Sequence, residues 1–80
     1  MTPRKAAEKV EKLYPGRLAQ KVYKYKTGYI VFAEYDSPDG AKLYTDPWFY
    51  VNSLGIVRGF NILENLDVYD NLDKYEVPIR

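Results

Sequence analysis

Two stretches of this chain carry residue types that could act on another molecule. Lys21-Val22-Tyr23-Lys24-Tyr25-Lys26 interleaves cations with phenols, the combination that holds single-stranded nucleic acid when lysines meet phosphates and tyrosines stack on bases. Trp48-Phe49-Tyr50-Val51 sets four aromatic or branched residues in a row. Tryptophan and tyrosine are the side chains most enriched at the energetic centres of protein interfaces, which makes Trp48 and Tyr50 the candidate protein-interaction residues. The Lys/Tyr stretch has a second use, because lysines on an edge strand discourage pairing with another sheet. Strand alternation puts Ala19, Lys21, Tyr23 and Tyr25 on one face and Leu18, Gln20, Val22, Lys24 and Lys26 on the other. Two of the three lysines are thereby parted from the tyrosines, and the edge-strand reading is favoured over the nucleic-acid one.

Other candidates for chemistry are sparse. The chain has no histidine and no cysteine, so the usual general base and thiol nucleophile are missing. Zinc and copper lose their commonest ligands, and no disulfide can form. Ser37 and Ser53 sit in turn-like contexts with no base beside them. Glu34 and Asp46 are a carboxylate pair by type, in a chain too short to shape a deep cleft around them. Asp67, Asp70 and Asp73 recur every third residue, an oxygen-rich set on a helix face of the kind that holds calcium or magnesium. Neither they nor Asp36 with Asp39 have the spacing of a calcium loop, so a solvated acidic face is expected. Gly55 and Gly59 make no phosphate-binding loop. No enzyme, no metal and no cofactor are expected.

The elements that must position Trp48 and the lysines follow from local signals. Thr2-Pro3 is a helix start, and Ala6, Ala7, Val10, Leu13 and Tyr14 recur at helical spacing up to the stop at Pro15-Gly16, which predicts a helix over 3–14. Strands are predicted over 18–26, 29–35, 42–51 and 56–61. The connections are a tight Thr27-Gly28 turn with glycine available for positive φ, a loop at Asp36–Gly40, and a type I turn over Asn52–Gly55. Tyr29–Tyr35 is apolar on both faces, as a central strand should be. Pro47 cannot donate to a ladder, which puts it on a free edge, at a bulge or where the strand begins. Leu63, Leu66, Tyr69, Leu72 and Tyr75, spaced by three after an Asn61/Glu64 capping pair, predict one or two short helical turns. Val77-Pro78-Ile79 is too brief to assign.

The expected fold is α+β, an N-terminal helix packed on a four-stranded antiparallel meander with an irregular or short-helical C-terminal tail, in one domain over 1–80. Trp48-Phe49-Tyr50-Val51 puts large groups on both sides of the sheet, and one helix covers one side. The other must meet the tail, a second copy or a partner. The tail is the favoured cover.

Net charge is +1, yet residues 1–26 carry a net +6 and residues 27–80 a net −5. Neutralisation of the basic helix and strand by an acidic tail is the favoured meaning, ahead of steering an acidic partner. The N-terminus has no apolar stretch of signal-peptide type, and no run approaches the roughly 18 residues of a membrane span, so a cytoplasmic protein without membrane contact is expected.

Ala6-Ala7, Gly16, Gly28-Tyr29-Ile30-Val31-Phe32, and Trp48-Phe49-Tyr50-Val51-Asn52 through Gly55-Ile56-Val57 together resemble PepSY-type and cystatin-like small α+β domains. The likeness spans residues 4–60 and rests on structural positions. It implies a peptidase-inhibitor role, from which the expected lack of a secretion signal departs. In size, tyrosine content and absence of cysteine the chain also resembles small proteins of bacteriophages and mobile elements. The leading expectation is a non-catalytic interaction or structural module, with protein or self-association as its partner. A single-stranded nucleic-acid binder and a PepSY-like inhibitor are the alternatives.

Overall fold

Thr2 and Pro3 begin the first helix in the way their side chains dictate. Thr2 is extended and its hydroxyl accepts from the Lys5 N–H at 3.2 Å, while Pro3 occupies the first turn, where its missing N–H costs nothing. The helix, α1, runs Pro3–Leu13. Tyr14 precedes a proline and leaves helical conformation at φ −122°, and Gly16 turns the chain at φ 96°. The computed structural model describes residues 1–35 and 47–79. The predicted Asp36–Gly40 loop and the 42–46 part of the third strand lie outside the described residues.

Strands β1 (Arg17–Tyr25), β2 (Gly28–Tyr35), β3 (Trp48–Val51) and β4 (Val57–Gly59) follow. After them come a 3-10 turn at Ile62–Glu64, helix α2 (Leu66–Asn71), a second 3-10 turn at Leu72–Tyr75 and strand β5 (Glu76–Val77). All neighbouring strands are antiparallel, in the order β4-β3-β2-β1-β5. The fold is α+β and β2 is central, as expected. Among the described residues the sheet has five strands, not four. β5 pairs Val77 with Val22 and Glu76 with Tyr23 on the outer side of β1. A two-residue strand has no periodicity of its own and exists through the hydrogen bonds of its neighbour. The middle of β1 is therefore covered, which corrects the reading of β1 as a free edge.

A β-bulge corrects the face assignment of β1. Ala19 opposes Ala33 and Lys21 opposes Phe32, leaving Gln20 as an extra residue. One extra residue flips the alternation. Ala19 consequently joins Val22 on the α1 side of the sheet. The Ala19 N–H is taken by the Glu11 carboxylate of α1 at 2.9 Å, so the bulge is tied to the helix.

Two turns join the hairpins. In the first, Lys26 holds the positive φ, 51°, rather than Gly28. Gly28 is needed for a different reason: a Cβ there would run into the Val51 carbonyl. In the second, Gly55 N–H donates to the Asn52 carbonyl at 2.9 Å, and the Asn52 side-chain oxygen accepts from Leu54 and Ile56. Gly55 follows at φ 83°, the left-handed residue that closes a type I hairpin turn. Pro47 stands where β3 begins, its carbonyl accepting from Ala33 at 2.8 Å.

Each sheet face has its own core. On one, Ala6, Ala7 and Val10 of α1 pack on Val22, Tyr29, Val31, Ala33, Phe49 and Val51. Alanines at the contact let the helix approach closely. Arg17 is buried beside them, donating to the Ala33 carbonyl at 2.7 Å with its guanidinium 5.0 Å from the Phe49 ring centre. On the other face, Tyr23, Ile30 and Leu72 are buried, flanked by Tyr25, Phe32, Trp48, Tyr50, Phe60, Ile62 and Val68. The C-terminal segment thus lies over the second face. No helix among the described residues is long and apolar enough to cross a membrane.

Candidate functional site

Antiparallel register builds the aromatic surface of the second face. Phe32 opposes Trp48 and Ile30 opposes Tyr50, so side chains far apart in sequence share one side of β2 and β3. The Trp48 ring lies 4.7 Å from Phe32, 6.1 Å from Tyr23 and 6.2 Å from Tyr69, the last at 84° between planes. Tyr25 meets Tyr50 and Phe60 edge-on at 5.8 and 5.7 Å. Such pairs contribute about 0.5–1.5 kcal/mol each beyond the area they bury. Trp48 and Tyr50 therefore share a face and are half-buried, while Phe49 between them is in the α1 core.

The cover over these rings is broken into short pieces. Asn61 caps the first 3-10 turn, its side-chain oxygen accepting from Leu63 and Glu64 at 3.1 and 3.3 Å. The amides of Asn65 and Asn71 then donate to the carbonyls of Asn61 and Asp67, both at 2.8 Å. Asparagine side chains that bond the backbone locally compete with regular helix. The row of three-spaced residues does not share one face as a result. Leu72 is buried, but Leu63 is 78% exposed and Leu66, Tyr69 and Tyr75 are about as much outside as in. Ile62 and Val68 do the inward packing instead.

What remains between sheet and cover is a groove of 850 Å³. Tyr23, Phe32 and Trp48 line it from the sheet, Ile62, Leu66 and Tyr69 from the cover, and Lys21, Asp70 and Asp73 also border it. Burial, then the negative charges of Glu76 and Asp73, then Tyr69, raise the pKa of the Tyr23 hydroxyl above its ordinary value. Lys21 reaches Glu76 at 4.0 Å, a contact between the basic and acidic parts of the chain.

The Lys/Tyr set is divided: Lys21 and Tyr23 border the groove, while Lys24, Tyr25 and Lys26 line a second concavity with Asp67, Val68 and Tyr75. Tyr23 is only 4% exposed, and Tyr25 packs against Tyr50 and Phe60. The Lys24 ammonium lies over the Tyr29 ring at 4.8 Å, on the α1 side, and that of Lys26 over Tyr25 at 5.3 Å. Glu34 is exposed, and Asp46 and Ser37 lie outside the described residues. Among the described residues no group of three or more His, Cys, Asp or Glu could hold a metal ion. Tyr23 and Phe32 join the groove through the β1–β2 register, which hairpin pairing could have revealed. Ile62, Leu66 and Tyr69 join through docking of the tail, which the doubly apolar β3 run and the apolar residues after Asn61 made the favoured cover, though which tail residues line the groove was not readable from spacing. Comparison with protein-family models, curated proteins and solved structures yields no match to this chain.

Proposed function

We propose that this chain is a non-catalytic interaction module that receives a protein partner in the groove beside Trp48. The observation carrying the reading is a tryptophan walled by three other rings yet left half-buried, next to exposed Leu63, Leu66 and Tyr69. Apolar surface of this kind, adjoining a concave site, is what a partner covers, with a gross transfer gain of roughly 25 cal/mol per Å² that must exceed the costs of association. Aromatic anchors ringed by aliphatic contacts also have the composition of binding hot spots.

The test is affinity capture from the native cell with the wild-type chain and with Leu66→Glu, followed by binding of each captured protein to purified wild type. A partner held by wild type, lost by Leu66→Glu and able to shift Trp48 fluorescence supports the reading. A partner retained equally by both chains places recognition elsewhere. Sedimentation distinguishes the identity of the partner, since a concentration-dependent dimer abolished by Leu66→Glu would make it a second copy.

A further inference from the structure

The groove is not a plain apolar slot. Four of the residues lining it, Tyr23, Phe32, Trp48 and Tyr69, are rings, and the faces of rings carry negative potential that attracts cations and gives a neutral alkyl group no such gain. Trp48 and Tyr69 stand almost perpendicular, at 84°, and make two sides of a corner, with Tyr23 and Phe32 also lining the groove. Asp70 and Asp73 border that corner, and neither has an ion-pair partner among the described residues. Lys21, on the same border, is matched by Glu76 at 4.0 Å. The negative field reaches the interior, since Glu76 and Asp73 both help to hold Tyr23 protonated.

We propose that the groove takes an arginine side chain from a basic peptide segment, its guanidinium against Trp48 and Tyr69 and facing Asp70 and Asp73. This rests on the reading of the groove as a protein-docking site and adds the chemistry of its occupant. Arginine suits the corner better than lysine, because its planar, weakly hydrated head stacks on a ring and still presents donors to carboxylates. The chain already sets one guanidinium against two rings in its other core, where Arg17 lies 5.0 Å from Phe49 and 6.0 Å from Tyr14 and donates to a backbone carbonyl. At 850 Å³ the groove exceeds one side chain, so apolar neighbours of the arginine would rest on Ile62 and Leu66.

The test uses the full chain and its single tryptophan, Trp48, as reporter. The probes are a short alanine–leucine peptide with one central arginine and the same peptide with citrulline, which keeps the shape and loses the charge. The arginine peptide is expected to shift Trp48 emission and to bind about tenfold more tightly than the citrulline peptide, an advantage that shrinks with salt. Asp70→Asn combined with Asp73→Asn should bring the arginine peptide down to the citrulline level, and these positions are exposed, so the fold should be kept. Tyr69→Leu, which removes the ring and stays apolar, should weaken the arginine peptide selectively. Equal binding of the two peptides to all these proteins would overturn the cation proposal and leave a docking groove for neutral segments. No binding of either peptide would overturn it too, and whether the docking reading falls with it is decided separately by the Leu66→Glu capture.

Discussion

Phe49 and Trp48 are neighbours in β3 and enter environments closed to different degrees. Phe49 turns toward α1, a regular helix of eleven residues that lays Ala6, Ala7 and Val10 against the sheet. It is 5% exposed there, with Tyr14 at 4.8 Å and the Arg17 guanidinium at 5.0 Å. Trp48 turns toward a segment of two 3-10 turns and a six-residue helix, of which Leu72 alone is buried. A continuous helix repeats its inward stripe every turn and seals a sheet. A segment interrupted by asparagine caps presents a few anchors at uneven intervals, and what it fails to seal is a groove. The same strand therefore contributes one residue to stability and the next to a surface another molecule can reach.

The broadest way to break this contrast is to remove the second cover. Deleting residues 62–80 takes away Ile62, Val68, Leu72 and β5 and uncovers Ile30 and Tyr23. At about 1.5–3 kcal/mol per fully buried aliphatic side chain, less for those half-buried, the loss is on the order of 5 kcal/mol. That approaches the total stability of roughly 4–12 kcal/mol expected for a domain of this length. The truncated chain should lose its cooperative thermal transition and scatter light. A truncated monomer melting like the full chain would mean that the segment is not a cover.

Paired substitutions in β3 sharpen the comparison. Phe49→Ala should cost about 3–5 kcal/mol in urea unfolding, the range for an aromatic deleted from a packed core. Trp48→Ala should cost about 2 kcal/mol, because half-buried rings have less contact to lose. Equal costs would show that the groove side is as much a core as the helix side, and would weaken its claim to be a binding surface.

These two neighbours also mark how far the sequence could be read. Their opposite orientations follow from period-two alternation, and the start of α1 at Thr2-Pro3, the central place of β2 and the Asn52–Gly55 turn were all written in local residue chemistry. The bulge at Gln20 was not, because alternation assumes that strands oppose each other residue for residue, and the Glu11 carboxylate that ties the bulge is brought in by tertiary packing. β5 escaped because Glu76-Val77 takes its extended pairing from β1. The tail's spacing of three suggested one or two short helical turns from Leu63 to Tyr75, and short helical pieces are present. What the spacing did not show is that the inward packing falls to Ile62, Val68 and Leu72 in three successive pieces rather than to one three-spaced row. Trp48 and Tyr50 were legible as residues on a shared face, whereas the groove beside Trp48 depends on the docked tail.

The smallest effect, and the one that probes the field on the groove side, belongs to Tyr23. Its pKa is raised above the ordinary 10.0, first by burial and then by the negative charges of Glu76 and Asp73, with Tyr69 adding to them. An unfolded chain ionises this tyrosine near the ordinary value. Between that pH and the raised value the folded state keeps a proton that the unfolded state has lost, so unfolding becomes easier as pH rises. The stabilising contribution is whole below pH 10 and disappears as pH climbs through the raised value. Urea midpoints should therefore decline above pH 10, and Tyr23→Phe, which has no proton to lose, should make that decline shallower. Asp73→Asn separates the causes: burial stays and one charge goes, so part of the Tyr23 contribution to the slope should persist. An Asp73→Asn chain with the full wild-type slope would remove Asp73 from the field inside the groove. The charge acting on Tyr23 would then be that of Glu76, outside the Asp70/Asp73 border of the groove.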